Sequence, residues 1–265
     1  MSVLPSGFGV LVTRPAEQAE ALCKLVEDAG GKAIRLPLLV IESAQREDLG
    51  PQCLRNLDST DWLVFVSANA VRCAFALLGP QWLNKGAKPK IAAIGQATAQ
   101  ALLDQGITVD LRPKAQFNSE SLLAQPEWMQ VRGLRFLIVR GEGGRELLAE
   151  TLRQRGGAVE YAEVYRRVAT KIDEDGLLAQ WRLGDIAVLT VTSGEALAEF
   201  WRQMSDGGRG LILHTPMVVI GGRMAKQARE LGVVQVFEAE ARDADIFDAV
   251  SRIAQEIHKT HQPRG

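Results

Sequence analysis

An offset of 126 residues lays this chain onto itself. Arg14 falls on Arg140, Gly30 and Gly31 on Gly156 and Gly157, Ser67 on Ser193, Gly95 on Gly221, Ala99 on Ala225 and Gly106 on Gly232. Element type is kept, since LVTRP (11–15) meets LIVRG (137–141) and AAIG (92–95) meets VVIG (218–221). The match needs no gaps over most of the length, so the chain is two copies of one α/β unit. The period is too long for a solenoid repeat and suits a domain-sized unit. Two similar units are expected to face each other across a cleft, where small molecules bind.

Each copy opens with a short apolar strand, GVLVTR (9–14) and FLIVRG (136–141), that runs into an amphipathic helix. Both helices stop at a Gly-Gly pair, which supplies a left-handed C-cap. Further strands are expected at 32–42 and 158–168, 62–67 and 186–192, and 91–95 and 217–221. Helices are expected at 68–78, 97–105, 194–204 and 223–231, with a late helix in each copy beginning at Ser119 and at Asp245. Short apolar strands alternating with helices predict an α/β fold of two doubly wound parallel-sheet domains. No long Gly/Ser/Pro linker separates the copies, so the equivalent stretches 36–42 and 159–168 are the expected crossings, paired as a two-stranded β linker. One domain would then be discontinuous (1–36 and 167–265) and the other would occupy 43–160.

The net charge of −1 argues against a dedicated nucleic-acid binder, which is usually clearly basic. Cys23, Cys53 and Cys73 are odd in number, lack CxxC spacing and lie in apolar surroundings, which reads as buried reduced thiols rather than a disulfide or a metal site. Of three histidines, His258 and His261 sit in a polar tail and His214 stands alone, so neither a zinc cluster nor a Ser-His-Asp triad is easily built. No signal peptide is recognisable and no apolar run approaches about 18 residues, so a soluble cytoplasmic protein is expected.

In an open parallel sheet the ligand end is the carboxyl end of the strands. Each such junction here meets a helix N-terminus with unpaired N–H groups and partial positive charge. Arg14 and Arg140 end the first strands, Ser67 with Ala68 and Ser193 with Gly194 open helices, and Gly95 and Gly221 stand at further junctions, Thr98 following Gly95. Such a surface favours a polycarboxylate or phosphate ligand. Plain readings stand beside this one: the serines as N-caps, since no histidine serves as base, the glycines as tight turns, and the arginines as ion-paired supports. Gly141 to Arg145 looks like a phosphate loop but lacks the Gly-Lys-Ser/Thr ending. Tyr165, one of two tyrosines, lies beside Arg166 and Arg167 in a crossing stretch, suited equally to chemistry and to packing between domains.

At VTRP (12–15), FVSANAV (65–71), IGQATAQAL (94–102), RGEGGRELLAETL (140–152), EVYRR (163–167) and VTSGEAL (191–197) the chain resembles the uroporphyrinogen-III synthases of tetrapyrrole and heme biosynthesis. Their order and spacing, rather than any one of them, carry the resemblance over nearly the whole chain. It implies two α/β domains joined by a two-stranded ladder, and an enzyme that cyclises hydroxymethylbilane, a linear tetrapyrrole with eight carboxylates. Loss of water leaves an azafulvene, the last ring attacks through its substituted α-carbon to give a spiro intermediate, and reclosure inverts that ring. The resemblance further implies a lyase without metal or organic cofactor, a monomer, and transient hand-over of substrate from hydroxymethylbilane synthase. Tyr165 matches the family tyrosine that assists departure of the hydroxyl. Thr98 and Ser67 match family residues that bind carboxylates together with nearby backbone N–H groups, for which Ala68, Gly95, Gly141, Gly194 and Gly221 are candidates. At Met224 the chain departs from a family threonine, and Arg223 is the candidate substitute, beside Arg14, Arg140 and Ser193. A two-domain binding or sensor protein for an anionic metabolite, and a nucleotide-sugar transferase, are the competing readings.

Overall fold

The computed structural model describes residues 3–45, 52–55, 57–79, 82–84, 89–113 and 118–261. The chain divides into two compact units, Met1–Val40 with Val168–Gly265, and Ile41–Arg167.

The first unit is built on β1 (Gly9–Val12), β2 (Lys32–Arg35), β8 (Val188–Val191), β9 (Met217–Ile220) and β10 (Val236–Ala239), in the spatial order β10-β9-β8-β1-β2. All four pairings are parallel. β1 and β8 are buried throughout, as a parallel strand covered on both faces must be. Side-chain alternation divides the core in two. Val10 and Val12 pack with Leu22 and Val26 of α1 (Ala16–Asp28) and with Ile246 and Val250 of the C-terminal helix Asp243–His261. Leu11 turns to the other face, with Leu197 and Phe200 of Gly194–Gln203 and Met224 of Gly221–Glu230.

The second sheet holds β4 (Trp62–Phe65), β5 (Lys90–Ala93), β6 (Arg135–Gly141) and β7 (Ala158–Ala169) in the order β7-β6-β4-β5, all parallel, with β3 (Leu39–Ser43) beside β7. β3 runs against β7: the amide of Ala44 donates to Val164 and that of Thr170 to Leu38. Leu63, Phe65, Leu137 and Val139 face α2 (Ala68–Leu78) and Leu102 of α3 (Gln96–Asp104). Trp62, Val64, Phe136 and Ile138 face Leu122 of α4 (Ser119–Leu123) and Leu148 and Leu152 of α5 (Leu147–Gln154).

Each sheet mixes the two sequence copies. β1 and β2 of the first copy pair with β8 to β10 of the second, and β6 and β7 of the second pair with β4 and β5 of the first. An isolated parallel bridge from Ala92 to Leu111 stands where β10 stands in the other sheet. Gly30 (φ +89°) and Gly156 (φ +88°) end α1 and α5 in the left-handed conformation.

The expected strand 32–42 is two strands. Leu36, Pro37 and Leu38 interrupt it, since proline has no N–H to give to a ladder. The carbonyl of Pro37 instead accepts from the Thr170 hydroxyl. Three elements absent from the sequence expectation are α6 (Glu174–Arg182), α8 (Asp206–His214) and β10. Cys23 and Cys73 are buried thiols in no disulfide, burial pushing the Cys23 thiol up, whereas Cys53 is only half-buried.

Candidate active site

The carboxyl ends of β4, β6 and β7 converge on one pocket of about 190 Å³, wholly within the second unit. Val66, Ser67, Ile94, Arg140, Tyr165 and Arg167 are among its walls. A register shift forms it: Arg140 pairs with Glu163, but Gly141 pairs with Tyr165, so β7 carries one extra residue. Such a bulge re-aims the side chain that follows it. Ala162 and Val164 already face the α2 side, and the bulge brings Tyr165 into that same cluster at 3% exposure.

The phenol is held on both sides. Its oxygen lies 3.2 Å from Ser67 Oγ and accepts from an Nη2 proton of Arg167 at 3.3 Å. Gly141 makes room for the ring. A Cβ there would stand 2.5 Å from Cε2 and Cζ of Tyr165 and 3.0 Å from its hydroxyl oxygen. Of the two arginines beside the tyrosine, only Arg167 approaches it. Arg166 is drawn away to Glu42 at 2.9 Å.

Ser67 is the N-cap of α2, its Oγ accepting from the Ala70 amide at 3.0 Å. Capping and contact with Tyr165 therefore coexist, Oγ having two lone pairs and one proton. Ala68 opens the helix beside it, half-buried. Arg140 is 5% exposed and ion-paired to Glu146 at 2.8 Å and Glu163 at 3.6 Å. Its guanidinium stacks 4.4 Å from the centroid of Tyr161, whose hydroxyl donates to Glu146. Burial first, and that hydrogen bond second, push the Tyr161 phenol up. The bonds from Tyr161 and Arg140 hold the Glu146 carboxyl down. Gly141–Arg145 is no phosphate loop in this arrangement, because the Gly143 amide donates to the Glu163 carboxylate, the position an anion would need.

Thr98 is 3% exposed in the first turn of α3, and it does not line the pocket. Gly95 caps that helix with extended backbone (φ −159°) that any residue adopts, so conformation does not explain its glycine. Gly221 does need glycine, with φ +67° at the start of α9 (Gly221–Glu230).

The remaining sequence candidates belong to the first unit. Arg14 donates to Thr192 Oγ1 at 3.2 Å and is ion-paired to Asp243. Ser193 caps α7 (Gly194–Gln203) through the Ala196 amide at 3.0 Å, and Gly194 accepts from Gln227 at 3.2 Å. Arg223 is exposed in the first turn of α9 and has no ion pair among the described residues. Sequence reasoning missed Tyr161 and Glu146. The available signal was that the chain's other tyrosine lies four residues before Tyr165 on one strand.

The family described as Uroporphyrinogen-III synthase HemD matches residues 20–247. The chain belongs to that family. It is 35% identical to the uroporphyrinogen-III synthase of Escherichia coli strain K12 over 90% of this chain and 97% of that one. The same enzyme of Salmonella typhimurium is also 35% identical, over 90% and 97%. Among solved structures, a mutant uroporphyrinogen III synthase from the extremely thermophilic bacterium Thermus thermophilus superposes with a TM-score of 0.63 at 20% identity, covering 94% of this chain and 99% of that one. The Helicobacter pylori enzyme gives 0.59 at 15% identity, covering 96% and 100%. At those identities the likeness establishes the α/β fold, and family membership rests on the sequence matches.

Proposed function

We propose that this chain is the cyclising hydro-lyase that converts hydroxymethylbilane to uroporphyrinogen III, and that the pocket at the ends of β4, β6 and β7 receives the reacting end of the substrate. The carrying observation is the Tyr165 phenol, buried yet lining the pocket, between Ser67 and Arg167. A pocket of about 190 Å³ is smaller than those that enclose a whole drug-sized ligand, so it takes one end of a tetrapyrrole. Tyr165 donates its proton as the hydroxymethyl C–O bond breaks, water leaves, and the pyrrole nitrogen lone pair completes the azafulvene as its N-protonated azafulvenium cation. Arg167 lowers the energy of the phenolate so formed, and the proton returns when the inverted ring loses its own. Ser67 orients the phenol. Spiro closure itself is an orientation problem, which a shaped cavity addresses without a metal or organic cofactor.

Arg140, Gly141 and Ser67, which line the pocket, are the foremost substrate-binding candidates of the second unit, followed by Ala68 and Gly95 at helix starts outside its walls and by the buried Thr98, while Arg14, Ser193, Gly194, Gly221 and Arg223 are those of the first. Among the described residues no helix is long and apolar enough to cross a membrane. Our reading is a cytoplasmic monomer that takes its substrate by transient hand-over from hydroxymethylbilane synthase. Tyr165→Phe tests the assignment: turnover should fall about a hundredfold, the lower end of what a positioned general acid contributes, and unchanged turnover removes the role.

A further inference from the structure

The buried guanidinium of Arg140 is already bound to a carboxylate of its own chain. Glu146 places one oxygen 2.8 Å from Arg140 Nη1 and accepts from the Tyr161 hydroxyl with the other. The two ends of this pair differ in environment: the Arg140 side chain is 6% exposed and that of Glu146 45%. Arg140 and Tyr161 line the pocket. The Nη2 group of Arg140 has no hydrogen bond among the described residues, so the guanidinium keeps donors for a further acceptor.

Glu146 is also the part best able to leave. It follows Gly143 (φ +69°) and Gly144 (φ +107°), and residues 142–147 are exposed. It occupies the N-cap position of α5 but makes no side-chain capping bond, so its departure orphans no helix amide. A buried arginine left without a partner is strongly destabilising. Exchange of one carboxylate for another avoids that state, since Arg140 and Tyr161 keep an acceptor while Glu146 moves into water.

We propose that Arg140 and Tyr161 form a carboxylate subsite of the synthase pocket, that Glu146 fills it in the unloaded chain, and that a substrate acetate or propionate displaces Glu146. This rests on the reading above, in which the ligand is a polycarboxylate. Glu146 is then a positioning residue that sets affinity by competition.

The test compares wild type with Glu146→Gln and Tyr161→Phe, measuring the KM for hydroxymethylbilane, the maximal rate and the melting temperature. Glu146→Gln removes the competing charge, so KM should fall about two- to fivefold, the range a half-exposed ion pair is worth, with the maximal rate moving less than KM. Tyr161→Phe removes a donor from the subsite, and KM should rise. If Glu146 merely supports Arg140, Glu146→Gln raises KM or abolishes the cooperative melt, and either result overturns the proposal. Wild type that produces no uroporphyrinogen III would instead sink the synthase reading. An active wild type with a raised KM in Glu146→Gln sinks only the subsite.

Discussion

Gly141→Ala adds one methyl group at the carboxyl end of β6, and it should act through Tyr165. The new Cβ would lie 2.5 Å from Cε2 and Cζ of the ring, where ordinary contact begins at 3.4 Å. Either the ring or the strand must give by close to an ångström. Tyr165 is 3% exposed within a packed cluster, so the ring cannot simply swing into solvent. Overpacking of this kind costs about 1–3 kcal/mol, which in a chain of this size lowers the melting temperature by roughly 2–4 °C per kcal/mol. The catalytic cost should be larger in proportion. Moving the phenol stretches its 3.2 Å contact with Ser67 and its 3.3 Å bond from Arg167, and a displacement near 1 Å in a reacting group costs about a hundredfold in rate. A double-mutant cycle with Tyr165→Phe separates the two effects. Phenylalanine keeps Cε2 and Cζ, so the clash and its loss of stability persist in the double variant. The hydroxyl is gone, so Gly141→Ala should cost little further activity there. Wild-type turnover in Gly141→Ala, or an equal loss of activity in both backgrounds, would refute this account of the bulge and the phenol.

Ser67→Ala and Ser193→Ala each remove an N-cap and should each cost about 1 kcal/mol of stability by thermal denaturation. Ser67→Ala should carry an additional loss of turnover, because only Ser67 also meets Tyr165. Arg223→Ala should mainly weaken substrate binding, and an unaltered KM would count against that role. Glu146 has its folded carboxyl below the ordinary value of 4.5, so its contribution is complete above that value and lost as the pH falls through the lowered one. The melting temperature of wild type should therefore drop more steeply than that of Glu146→Gln below about pH 4.5. Tyr161 is shifted the other way, and Tyr165→Phe leaves it as the only tyrosine. Its phenolate absorbance in that variant should appear only above the ordinary value of 10.0, and a normal midpoint would argue against the Tyr161–Glu146 bond.

The alternation of apolar strands with capped helices was legible because parallel strands buried on both faces leave an unbroken apolar signature, as in β1 and β8. The Gly-Gly stops were legible because only glycine takes φ near +90° cheaply, as Gly30 and Gly156 do. Pro37 was a visible warning against one continuous strand at 32–42 that the surrounding apolar run masked. The helix Asp206–His214 was hidden by Gly207, Gly208 and Gly210, which read as loop, although Ile212 anchors it in the core. At the site, Tyr165 and Ser67 stood out as residue types at strand ends, while the contacts that distinguish them depend on a bulge. A register shift between Arg140 and Gly141 leaves no periodic trace in sequence. The pairing of Arg140 with Glu146 was equally invisible, since a loop rather than a helix turn sets their spacing.

The most direct measurement is to give the purified chain freshly prepared hydroxymethylbilane, oxidise the products and resolve isomers I and III. Isomer III in excess, formed faster than spontaneous closure, is the expected result and means that the last ring is inverted on the protein. Isomer I alone, at the spontaneous rate, would contradict the account and leave a carboxylate-binding pocket without the chemistry assigned to Tyr165.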